Sequence, residues 1–284
     1  MRNTVLGAML ALSLAVPAAA KDIAFVTTSS VSDKPQIAFD PAQAYVLVRA
    51  DAQTALHLMR MPNAEDQVAY DKLRAEAFAK AREKYAKKRA AYDRAKVAAT
   101  KAKGNSSLPV PPEPIEPTES NFEFTAFGLM AGVPIGPTYR FAKQDSGFST
   151  YLQAVTPGRY RIYGPLAVFG SQGVVGSCLC MGSVAFEAKA GEITDLGTML
   201  VKPQQGAAAD ADPVRLAVTA FRIQPATAET PVDPRLKAMT IRPAAYRPVG
   251  KLPNYFGVAI GRLPEIPGVM RYERDSIYDL TSGN

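Results

Sequence analysis

Short runs in which apolar residues dominate, or alternate with polar ones, fill most of this chain and predict β-strands separated by Pro, Gly, Asn and Asp. The first two lie at Ala44 to Arg49 and Thr54 to Arg60, and the loop-like residues between them suggest a hairpin. Further strands are expected at Asn121 to Met130, Tyr139 to Lys143 and Phe148 to Val155. A loop is expected at Gly132, Pro134, Gly136 and Pro137, and a turn at Asp145-Ser146-Gly147. After Thr156-Pro157-Gly158 the run Arg159-Tyr160-Arg161-Ile162-Tyr163 alternates, which puts Arg outward and Tyr and Ile inward. Ser183 to Lys189 and Ile193 to Val201 flank a turn at Ala190-Gly191, and Val214 to Ile223 follows an Ala/Gly/Asp linker at Gln204 to Asp212. Short strands at this spacing indicate a sandwich or a barrel.

The pattern changes completely at Asn63. No Pro or Gly occurs before Gly104, and Ala, Lys, Arg and Glu dominate, which predicts one helix over about Ala64 to Ala102. Asn63 suits the N-cap, Glu65 and Asp66 suit the positive end of the dipole, and Gly104-Asn105 stops the helix. Its apolar stripe is thin: Phe78, Tyr85 and Tyr92 recur every seven residues, with Ala81 and Ala95 between them. Such a helix extends roughly 58 Å. The Pro-rich segment Leu108 to Pro117 favours polyproline II, so the return path from Lys103 to Asn121 spans roughly 59 Å. A straight helix with an extended strap, inserted between two strands, is therefore feasible. The competing arrangement is a helix broken near Lys87-Lys88 and folded back.

Eight prolines between Pro225 and Pro267 argue against regular elements there. An arm packing along the body through Tyr246, Tyr255, Phe256 and Ile260 is expected, with one more patterned piece at Met270 to Leu280. The interval Ile162 to Phe186 lacks charge, yet its five Gly, one Pro and one Gln favour buried strands over a membrane span.

The first twenty residues read as a secretory signal: Arg2, an apolar run from Val5 to Val16, Pro17, and the small-residue site Ala18-Ala19-Ala20, with cleavage before Lys21. A periplasmic or secreted location is expected, without a transmembrane segment in the mature chain. The charge of +7 is distributed unevenly. Between Asn63 and Lys103 there are twelve Lys or Arg against six Asp or Glu, whereas the rest of the mature chain has twenty of each. The basic excess belongs to the helix, which argues against a uniformly basic nucleic-acid binder.

Little in the chain points to catalysis. His57 is the single His and lies in a strand pattern, no Gly-x-Ser-x-Gly elbow occurs, and Gly170, Gly173 and Gly176 match no phosphate-binding motif. No enzyme activity and no cofactor are expected. The compact constellation is Cys178-Leu179-Cys180-Met181. In a regular strand the two thiols lie about 6.6 Å apart at Cα, so a disulfide there needs a bulge or turn. A small disulfide, two buried thiols, and a soft-metal or redox site that also uses Met181 all remain open. The helix offers a second candidate. Lys84, Lys87, Lys88, Arg89, Arg94 and Lys96 suit an anionic surface, whether lipid head groups, cell-wall polymer or a partner protein. The plain alternative is a solvated face held by pairs such as Glu76 with Lys80.

The run Tyr151-Leu152-Gln153-Ala154-Val155-Thr156-Pro157-Gly158-Arg159-Tyr160-Arg161-Ile162, followed by Phe186-Glu187-Ala188-Lys189-Ala190-Gly191-Glu192-Ile193, resembles secreted bacterial sandwich domains of the transthyretin-like or carboxypeptidase-regulatory-like type. The resemblance implies a non-catalytic immunoglobulin-like or prealbumin-like sandwich and carries over no functional residue. The expected organisation is a signal peptide (1–20), first strands (21–62), basic helix and strap (63–120), remaining strands (121–223) and a Pro-rich arm (224–284). The expected role is an envelope binding or scaffolding protein. The alternative is a soft-metal or thiol redox protein using Cys178 and Cys180.

Overall fold

Every residue of Ala44–Ala50 (β2) and Leu56–Arg60 (β3) is buried, so neither strand has a solvent side. Apolar residues therefore dominate both faces, with Arg49, His57 and Arg60 buried among them, and both faces require cover. The computed structural model describes residues 24–51, 53, 55–102, 109–143, 147–168, 173–201 and 221–282. The secretory signal, the helix stop at Gly104-Asn105 and the linker at Gln204 to Asp212 lie outside these residues, as does most of the strand expected from Val214. The described chain is mainly β, with several sheets and one long helix.

β2 and β3 do not form the expected hairpin. β2 pairs with Ser149–Val155 (β6) and, in parallel, with Glu192–Leu200 (β11), whereas β3 pairs with Gly132–Ile135 (β4) and Gly158–Gly164 (β7). The loop between them crosses from one sheet to the other. One sheet runs Thr28–Ser30 (β1), β6, β2, β11, Arg222–Gln224 (β12), with Ala142–Lys143 (β5) beside β6 and Thr240–Pro243 (β13) beside β11. The other runs Arg247–Val249 (β14), Ser183–Ala188 (β10), β7, β3, β4. Val46 and Val48 of the first sheet share one apolar cluster with Leu58, Ile162 and Phe186 of the second. The turns at Thr156-Pro157-Gly158 and Ala190-Gly191 likewise cross between sheets. Within β7 Tyr160 and Ile162 are buried and Arg159 is exposed as the alternation requires, but Arg161 is only partly exposed and Tyr163, on the same side, is fully buried beneath the arm.

The Pro-rich arm supplies much of the outer cover. Leu236 and Met239 join Tyr45, Leu47 and Leu152 on the far face of the first sheet. Leu252, Tyr255 and Phe256 join Met59 and Tyr163 on the far face of the second. Contrary to the sequence expectation, this arm is regular in places. It contributes β13, β14 and Ala259–Ile260 (β15), all at sheet edges, where a proline such as Pro248 displaces no ladder bond. Edge placement also explains β4, a strand where Pro134 suggested a loop. Tyr246 is buried and bonds Leu196 O through its hydroxyl, but Ile260 is 56% exposed and takes no part in the cover. Leu166–Val168 (β8) and Val174–Cys178 (β9) pair, and β9 also pairs with β15. Met270–Glu273 (β16) and Ser276–Asp279 (β17) make a terminal hairpin.

An ion pair fixes the parallel contact between β2 and β11. Arg49 donates to both Asp195 oxygens at 2.8 and 2.9 Å, and both side chains are buried. Asp195 also accepts from Gly197 N, at the point where the β11 register shifts, and Arg49 donates to Pro231 O in the arm. Gly197 has φ +82, and a Cβ there would lie 2.0 Å from Gln224 O, so only glycine fits the bulge. Removing the carboxylate strands a buried guanidinium. Asp195→Ala is expected to lower unfolding free energy by roughly 3–5 kcal/mol, read as a drop in urea midpoint at unchanged slope.

Candidate functional site

The spur between β3 and β4 starts its helix after only three residues, Met61 to Asn63, at a built junction. Ala64–Lys101 (α1) is one continuous 38-residue helix, about 57 Å long, with no buried residue. The folded-back alternative is not what forms. Asn63 caps it by accepting from Asp66 N at 2.7 Å, and Asp66 Oδ2 accepts in return from Asn63 N at 2.9 Å. The same Oδ2 accepts from the buried Arg60 guanidinium at 2.6 Å, and Arg60 also donates to Phe25 O. One carboxylate thus closes the capping box and neutralises the cation at the end of β3.

The strap returns along the helix and meets it repeatedly. Tyr70 donates to Thr125 O, Arg74 pairs with Glu119 at 2.7 Å, Phe78 packs on Phe122 with centroids 5.0 Å apart, and Arg89 pairs with Glu113. Beyond it a 500 Å³ groove separates Lys88, Ala91 and Tyr92 from Pro111–Ile115. The heptad stripe predicted from Phe78, Tyr85 and Tyr92 therefore faces the strap. Asn121 to Met130 is not a strand. Phe122 and Phe124 do alternate with exposed Glu123 and Thr125, but they turn toward α1, and Phe127–Met130 (α2) follows as a single turn.

The six basic candidates do not share one face. At about 100° per residue, Lys84, Lys87, Lys88 and Arg94 fall within a third of the circumference, while Arg89 and Lys96 fall on the strap side. There Arg89 pairs with Asp93 and Glu113, which hold its guanidinium above its ordinary pKa, and the Lys96 ammonium lies 5.7 Å from the Tyr92 centroid. Lys87 pairs with Glu83 at 2.7 Å, and that bond holds the Glu83 carboxyl below its usual range. Among the described residues, Lys84, Lys88 and Arg94 have no ion-pair partner, and the expected Glu76–Lys80 pair is absent. A clue to this division lay in the heptad: Arg89 and Lys96 each sit four residues after one of its tyrosines, on the stripe itself.

Cys178 and Cys180 are disulfide-bonded, with Cα atoms 5.1 Å apart, because β9 ends at Cys178 and the chain turns through Leu179-Cys180. Both are buried, while Met181 is 42% exposed. The arm fastens on the backbone around them: Leu252 N donates to Cys180 O, Gly261 N to Cys178 O, and Met181 N to Gly261 O. A disulfide presents no thiolate to a soft metal. Among the described residues, no three of His, Cys, Asp and Glu gather in ligand geometry.

His57 is buried between the rings of Tyr163 and Phe256, and neither ring nitrogen has a hydrogen-bond partner. Gly132 makes room for it, since a Cβ there would stand 2.6 Å from Nε2. Burial depresses the His57 pKa to about 4 from 6.5. The imidazole thus stays neutral in the fold at pH values where the unfolded chain is already protonated. Stability is full above pH 6.5 and falls as pH drops toward 4. The expected slope is about 1.4 kcal/mol per pH unit in that window, and His57→Phe should flatten the profile in denaturant titrations. At the spur junction, Asp66→Ala should cost roughly 3 kcal/mol because it removes the cap partner and strands Arg60 together. Asp66→Asn, which can still accept one bond, should cost less in the same titration.

Comparison with protein-family models, with curated proteins and with solved structures returns no match, so the function must be argued from the residues themselves.

Proposed function

We propose that this protein is a non-catalytic, exported envelope binding or scaffolding protein whose basic spur contacts an anionic component. The observation that carries the reading is how the cations of α1 are divided. Arg74 and Arg89 are committed to the strap, whereas Lys84, Lys88 and Arg94 on the outer half hold no carboxylate among the described residues. A helix with no buried residue adds no core to the body, so an ordered spur of this length is better explained by contact with something else. Export rests on the signal-like first twenty residues.

For the body, two sheets that share one apolar cluster support the sandwich reading, immunoglobulin-like or prealbumin-like. A sandwich closed on its outer faces by its own arm suits a scaffold role. The buried Cys178–Cys180 disulfide is read as part of that closure.

The test is binding to anionic surfaces at graded salt. Wild-type protein should sediment with anionic vesicles or with isolated sacculi at low salt and release as salt rises. Replacing Lys84, Lys87, Lys88, Arg89, Arg94 and Lys96 by Gln should abolish this without changing the far-ultraviolet spectrum. Retention on neither surface by the wild type rejects the reading.

A further inference from the structure

Resting on the reading above, we infer that the spur lies lengthwise on an anionic bilayer. Its contact face is a cation stripe along the outer half of α1 together with the adjoining groove. The stripe follows from helical geometry. Lys80, Lys84, Lys87, Lys88, Arg94 and Lys101 fall within about 140° of the circumference at 100° per residue, over a length of about 32 Å. All are exposed, and among the described residues Lys87 alone is ion-paired, across an exposed surface pair that is worth little and exchanges readily. A row of this length running side-on to the helix suits a surface more than a single anion.

The stripe has an apolar border. Lys88 and Ala91 belong both to it and to the groove, whose other walls are Tyr92, the strap prolines and Glu113, the last neutralised by Arg89, ending at Ile115 with 85% exposure. An exposed isoleucine and a tyrosine beside unpaired lysines form an interfacial combination: cations meet phosphates while the apolar groups enter the boundary just beneath. Polyanionic chains in solution satisfy the stripe but offer nothing to Ile115. That asymmetry favours lipid over a cell-wall polymer or an acidic chain that is polar throughout.

Electrostatic attraction to an anionic leaflet amounts to about fivefold in partitioning per cation. Co-sedimentation with phosphatidylcholine vesicles containing phosphatidylglycerol should therefore weaken by about three orders of magnitude when Lys80, Lys84, Lys88 and Arg94 become Gln. Ile115→Ser should weaken it about tenfold at any salt concentration. The chain has no Trp, so Ile115→Trp provides a reporter without background. Its emission should shift to the blue with phosphatidylglycerol vesicles and stay unchanged with pure phosphatidylcholine or soluble polyglutamate. Far-ultraviolet spectra identical to wild type establish that these exposed substitutions leave the helix intact. The inference is overturned if polyglutamate competes fully and Ile115→Ser has no effect, which points to an acidic chain as partner. It is also overturned if sacculi bind and vesicles do not, in which case the broader proposal survives. Failure of vesicles and sacculi alike removes both.

Discussion

Asp66 Oδ2 is the atom on which the relation between body and spur depends. It accepts from Arg60, the last residue of β3, and from Asn63, the residue that starts α1. A three-residue link, Met61 to Asn63, between a strand and a 38-residue helix would otherwise leave the direction of the helix to chance. Because the guanidinium is buried, its alternatives to this carboxylate are costly, and the helix leaves the sheet along one direction. Phe25 extends the junction, since its carbonyl receives Arg60 and its ring meets Phe127 and Tyr70.

A second constraint shapes the body. Both faces of the strands carry apolar residues, so two sheets packed together still leave two outer faces to be covered. The arm and the N-terminal segment meet that need. Ile37, Phe39 and Leu236 close one side, and Leu252 and Phe256 close the other. Arg235 ties the two covering segments together through Asp33 and Asp233, with its guanidinium over the Phe141 ring. Prolines suit these segments because they run at edges, where backbone N–H groups are not required.

The sequence showed what depends on local pattern and hid what depends on partners. The α1 boundaries, the Asn63 cap and the Tyr160/Ile162 face follow from residues adjacent in sequence, and they emerge where expected. The pairing of β2 did not, because a strand apolar on both faces carries no mark of which neighbour it takes. Phe122 and Phe124 alternate as a strand would, but their period matched a helix surface instead of a sheet. The division among the basic residues was half legible: the heptad tyrosines marked a contact side, but that the strap would fill it, and so claim Arg89, depended on Glu113 arriving from a distant segment. The closure of Cys178 on Cys180 turned on the conformation of Leu179, which composition does not determine.

The spur leaves from β3 and returns to β4, and β4 is the outermost strand of its sheet. Because the two strands are antiparallel, tension applied at the far end draws their adjoining ends in the same direction and does not part them. Arg74–Glu119, Arg89–Glu113 and the Phe78–Phe122 ring contact lay the strap alongside the helix, so both limbs of the spur share the load. The load therefore passes to the β3–β7 ladder behind the pair, so traction on the spur is borne by the sheet as a unit.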